Sequence, residues 1–97
     1  MSEGPKETAG KLDWSVFPFT EAEHVCKVFE GGAVKYKAPF TYRQGIDMSK
    51  LFAACMRHLV AIQRGERVDP ESGQLHASHI AANGLMMVSQ SICDGDL

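Results

Sequence analysis

Three of the chain's four histidines, His58, His76 and His79, fall in one stretch, RHLVAIQRGERVDPESGQLHASHIAAN, which runs from Arg57 to Asn83. The same stretch carries a short acidic turn, Asp69-Pro70-Glu71-Ser72-Gly73. Imidazole and carboxylate together suit zinc, manganese or similar ions. One expectation is therefore a divalent metal (Mg, Mn or Zn) held by Asp69, Glu71, His76 and His79, although the spacing matches no known zinc signature. A local reading stands beside it: Asp69 before Pro70 is a good helix N-cap with proline at the first helical position.

His76, His79 and Asn83 lie at i, i+3 and i+7, so they share one face of a helix. That face is roughly opposite the stripe Ala81, Leu85, Val88 and Ile92, and Met87 and Gln90 continue it. A solvated helix face would carry Lys and Glu. This one predicts a cavity or a subunit contact, with His58 or Asp69 near it and an anionic nucleotide as ligand. The alternative is that each histidine hydrogen-bonds a neighbour in a packed interface. His58 stands beside an apolar stripe, where a lone histidine is more often a satisfied core residue than a ligand. Arg57 points to another side and either meets a phosphate or pairs with Glu66 or Asp69. A helix start after the acidic turn would also present free backbone N–H groups that favour negative charge.

The elements that must position these residues are helical. Met48, Leu51, Cys55, Leu59 and Ile62 repeat at the helical period, with Asp47 or Ser49 as cap, Arg64 as the end and Gly65 as a left-handed stop. A second long helix covers about residues 75–92. The short connection makes these two pack antiparallel. Upstream, Thr20 and Glu23 form a T-x-x-E capping box that starts a helix near Thr20. Gly31 and Gly32 predict an end or bend, with a short irregular piece over 33–37. Trp14, Phe17 and Phe19 read as an extended arm packed across helix surfaces. No strand pattern or repeat is present. The predicted class is all-α, a small domain of three to four helices, with a flexible tail over 1–12 and one domain over 13–93.

Ninety-seven residues with 44% hydrophobic content make one thin-cored domain, for which self-association is the expectation. A net charge of −2 provides no overall basic field for a nucleic-acid polymer. Lys35, Lys37 and Arg43 form a loose cationic group, either a phosphate contact or a solvated surface. Cys26, Cys55 and Cys93 are odd in number and widely spaced, so no cysteine-type zinc site is expected, and free thiols suit a reducing cytosol. The start of the chain lacks the apolar region of a signal peptide, and no run is long enough to span a membrane.

The series LDWSVFPF, then EGGAVKY, then RHLVAIQRGERVDPESGQLHASHIAAN resembles the N-terminal domain of phage dATP/dGTP diphosphohydrolases over about residues 11–90. That family is related in theme to MazG-type nucleotide pyrophosphohydrolases, which cleave a nucleoside triphosphate to a monophosphate and pyrophosphate. The resemblance implies a purine-nucleotide domain working in the cytoplasm of an infected bacterial host. Two departures bear on catalysis. The acidic E-x-x-E and E-x-x-D pairs that hold magnesium in MazG-type enzymes have no counterpart, since Glu21-Ala22-Glu23 and Asp94-Gly95-Asp96 differ in spacing and context. After Lys35-Tyr36 the chain continues Lys37, Ala38, Pro39, where the family pattern leads to a glycine and an Asn-Trp.

Two functions follow as expectations. One is a metal-dependent phosphohydrolase, with Lys35 and Arg57 on phosphate and Asp69, Glu71, His76 and His79 on the metal or an activated water. The other is a non-catalytic sponge, an anti-defence protein that sequesters a host cyclic-nucleotide or ADP-ribose-type signal. There Tyr36, Phe40 or Tyr42 would stack a base, with the site between subunits.

Overall fold

A computed structural model describes residues 9–94. Most of the expected N-terminal tail (1–8) lies outside the described residues, as do Gly95 and Asp96. Among the described residues the chain is all-helical: α1 (Phe19–Tyr36), α2 (Met48–Gln63) and α3 (His76–Asp94), with 3-10 turns at Trp14–Val16 and Thr41–Gln44. No strand forms there. Val68 and Leu75 make one isolated antiparallel bridge.

α2 begins where the sequence places it. Asp47 caps it by accepting from the Ser49 amide at 3.0 Å, and Gly65 (φ 91°) takes the left-handed turn beyond Arg64. α1 differs in two respects. It starts at Phe19 behind Pro18, whose side chain makes no cap. The first intrahelical bond is already made by the Ala22 amide to the Pro18 carbonyl at 2.9 Å, so Thr20 sits inside the first turn and no Thr20–Glu23 box is needed. The helix also runs straight through Gly31 and Gly32, where nothing packs within 4 Å of either position. It ends instead at Lys37, itself left-handed at φ 62°.

α2 and α3 are antiparallel. The Ile46 amide, just before α2, donates to Gln90 Oε1 near the end of α3 at 3.2 Å. His58, late in α2, meets His76 at the start of α3. α1 also packs on α3.

α3 is buried near its start and open further along. His76, Ser78 and Ala82 are buried, at 4%, 4% and 0% exposure, while Leu85, Val88 and Ile92 stay about half exposed. The α2 stripe is only partly covered: Leu51 is buried, but Met48, Leu59 and Ile62 are exposed. The aromatic arm does not lie across the helices. Trp14, Phe17 and Phe19 are exposed and pack edge-to-face on one another, with centroids 5.7 and 5.0 Å apart.

Candidate functional site

The connection from α2 to α3 is a tight hairpin-like turn. The Asp69 amide donates to the Gln74 carbonyl at 2.8 Å, and the Gly73 amide returns to the Asp69 carbonyl at 2.7 Å. Gly73 is left-handed at φ 75°. Asp69 therefore caps this turn and not a helix: its Oδ1 accepts from the Glu71 amide at 3.1 Å and its Oδ2 from the Ser72 hydroxyl at 3.1 Å. α3 begins only at His76. The turn folds Asp69 back over the first turn of α3, where His79 Nε2 lies 3.4 Å from Asp69 Oδ2 and 2.7 Å from Ser72 Oγ.

α2 brings the third imidazole. His58 stacks on His79 with ring centroids 4.5 Å apart and planes 4° from parallel. Its Nδ1 contacts His76 Nδ1 at 2.8 Å. His76 Nε2 in turn meets Glu66 Oε1 at 2.7 Å. His76 is thus buried with both ring nitrogens engaged, the pattern of a structural histidine. One ligand atom each from His58, Asp69 and His79 lies within 4.8 Å of the others.

The electrostatics of the cluster are mixed. Burial lowers the pKa of His58, His79 and His76 lower it further, and Asp69 opposes them. Burial alone would raise the Asp69 carboxyl. The Glu71 amide and Ser72 hydroxyl outweigh it, with help from His79 and His58, and the net shift is downward. An ionised carboxylate beside an uncharged imidazole is a donor set for a cation. It is not a Ser-His-Asp triad: Ser72 and Asp69 approach the same nitrogen of His79, whereas a triad needs them on opposite sides of the ring.

The residues expected to form one site separate into two places. His58, Asp69 and His79 gather, with His76 behind His58. The Glu71 carboxylate is outside the gathered group, and Glu66 and Asp69 pair with histidines and not with Arg57. Tyr36 and Asn83 line a different feature, an open apolar groove of about 1240 Å³ between α1 and α3. Phe40, Tyr42 and Arg43 share its wall, with the Arg43 guanidinium 4.1 Å from the Phe40 ring centre. Lys35 lies over its own neighbour, 5.5 Å from the Tyr36 ring centre. Sequence reasoning gave no role to Ser72 and treated Glu66 only as a partner for Arg57. The signal for Glu66 is its place just after the Gly65 stop, where the chain turns back toward the start of α3.

The arrangement does not suit magnesium, which takes oxygen ligands, because two of the three donors are imidazoles. No helix among the described residues is long and apolar enough to cross a membrane. No solved structure matches the chain. A dATP/dGTP diphosphohydrolase of Salmonella phage PMBT28 is 34% identical over 86 residues, which is 88% of this chain and 28% of that protein. The chain thus spans less than a third of the relative's length. The family profile described as dATP/dGTP diphosphohydrolase, N-terminal, matches residues 1–96, and the chain belongs to that family.

Proposed function

We propose that this chain is a purine-nucleotide-binding domain whose ligand phosphates meet the His58–Asp69–His79 cluster through a divalent ion. The observation that carries this reading is the convergence of two imidazoles and a lowered carboxylate at one end of the α2–α3 pair. The name of the phage relative supports a purine deoxynucleoside triphosphate as ligand. Arg57, exposed and adjacent in sequence to His58 on α2, is the cation for phosphate oxygens in this reading. Tyr36 and Asn83, with Phe40 and Tyr42, offer a stacking surface in the groove for the base.

The chain works as a homo-oligomer in this reading. Leu85, Val88 and Ile92 leave an apolar stripe on α3 that the described residues do not cover.

The test incubates the purified chain with a panel of dATP, dGTP and other nucleotides and a divalent ion, then identifies the nucleotide released by heat. The expected result is selective recovery of purine nucleotide. Monophosphate with pyrophosphate assigns hydrolysis to this domain. Intact nucleotide assigns sequestration, the sponge role. Recovery of no nucleotide from any ion condition overturns the reading.

A further inference from the structure

We infer that His58, Asp69 and His79 form a three-ligand site for a late first-row ion of the zinc class, with His76 and Glu66 as positioning residues. This deepens the nucleotide reading, in which the ion carries the phosphates, but it stands on the protein's own donor atoms.

The first observation is the gathering itself. Three potential ligands come from three separate elements, α2, the turn and α3, and their donor atoms lie within 4.8 Å of one another. Two nitrogens and one oxygen suit zinc and its neighbours better than magnesium or calcium. Three protein ligands leave a position open for water or a phosphate oxygen, the pattern of catalytic and substrate-binding zinc.

The second observation is the hydrogen-bond chain behind His58. Glu66 Oε1 accepts from His76 Nε2–H at 2.7 Å. In that tautomer His76 Nδ1 is the acceptor, and His58 Nδ1–H donates to it at 2.8 Å. That fixes the His58 tautomer and leaves its Nε2 with a free lone pair. The carboxylate–imidazole–imidazole order is the outer support that metal-binding histidines require, and it explains why a buried His76 is kept polar. His79 has a simpler arrangement, with Nε2 toward Ser72 and Asp69. The His58 and His79 rings are now parallel, so their lone pairs run side by side. Closing on one ion takes a tilt of one ring. His58 is tied to His76, so His79 is the ring that turns, exchanging its Ser72 contact for the ion.

The test is a titration of the metal-free chain with Co(II) and Zn(II), without nucleotide. The expected result is about one ion per chain, with visible Co(II) bands typical of low coordination number. Zn(II) should displace these bands and raise the melting temperature. Asp69→Asn keeps the Oδ1 acceptor of the turn and should lose the bands, as should His79→Ala. Glu66→Gln should keep the site but weaken it roughly tenfold to a hundredfold. Circular dichroism checks that each variant folds. Imidazole resonances of the unmutated chain give a readout independent of any variant: those of His58 and His79 should move on zinc addition, and those of His24 should not. Cys26→Ser with Cys93→Ser should leave binding unchanged, since both exposed thiols lie outside the site. Binding lost with those cysteines, retained in Asp69→Asn, or absent altogether overturns the inference. An ion bound without nucleotide affinity keeps the site and discards the nucleotide reading. Nucleotide bound equally well by an Asp69→Asn chain that has lost the bands keeps the ion site and discards the ion's role in holding the phosphates.

Discussion

The two halves of α3 solve different problems. In its first turns, against α2, the helix is polar and sealed. His76, Ser78 and Ala82 are buried, and no buried side-chain nitrogen or oxygen among the described residues lacks a partner. In its later turns, bordering the α1 groove, it is apolar and open, with Leu85, Val88 and Ile92 about half exposed. The polar seam forms because each histidine finds a fixed partner, and a satisfied buried network is tolerated where a partial one is not. The apolar stretch stays open because the three helices of the described residues are too few to cover it as well. The seam therefore holds the chain's own structure together, and the groove is the surface left for something else.

Leu51 gives the strongest way to break this contrast. It is the large apolar side chain buried in α2, at 4% exposure. Leu51→Ala should cost about 2–5 kcal/mol, which is a large share of the stability of so small a domain. Urea unfolding followed by circular dichroism measures it. A loss below about 1 kcal/mol would mean that the buried side of α2, which also floors the groove through Leu51, does not carry the fold.

The groove should respond in the opposite manner. Val88→Asp places a charge on an exposed position, so it should leave the helical signal of the monomer intact. It should weaken self-association by at least about tenfold, or about 1.4 kcal/mol. Sedimentation over a concentration series reads this directly. A chain that is monomeric at all concentrations before mutation removes the oligomer from the proposed function and leaves the groove to a ligand or another domain.

The Glu66–His76 contact lies between these extremes. Glu66→Ala removes the acceptor of a buried imidazole N–H, and stranding it should cost about 1–3 kcal/mol. Glu66→Gln keeps an acceptor at the same place and should cost less. Equal losses in the two variants would show that the charge, and not the hydrogen bond, supports His76.

The helices were legible in the sequence because their signals are local. Asp47 with Ser49, the Met48-to-Ile62 period and Gly65 fix α2 without reference to anything distant. The separation of the candidate residues was not legible. His76, His79 and Asn83 share a helical face, but one turn of rise takes Asn83 past the end of the His cluster and into the groove. Which stretch of α3 is sealed was also hidden, because periodicity gives the stripe and not its partner. Burial of His76 goes with Glu66 and His58 reaching it, which is a fact of tertiary contact. The proposed cluster likewise needed His58, late in α2, to meet His79 across the turn. The spacing of 21 residues contains no such instruction.

The smallest expected effect is a dependence on pH that centres on His58. His58 has an ordinary value of 6.5 and a lowered one in the folded chain, first from burial, then from His79 and His76, with Arg57 adding to the shift and Asp69 opposing it. Between those two values the unfolded chain binds more protons at His58 than the folded one does. Stability therefore rises with pH across that window. The contribution of neutral His58 is fully present above 6.5 and is lost as pH falls through the lowered folded value. Unfolding curves at several pH values from 8 to 5 should show this slope, and His58→Gln should flatten it without removing the helices. Zinc in the buffer should steepen it, because protons then compete with the ion for the same imidazoles. Val88→Asp leaves His58 and its contacts in place, so it should keep the slope of the unmutated chain between pH 5 and 6.5. If His58→Gln keeps the full slope, the pH dependence arises elsewhere, and His58 is not the desolvated member of the cluster.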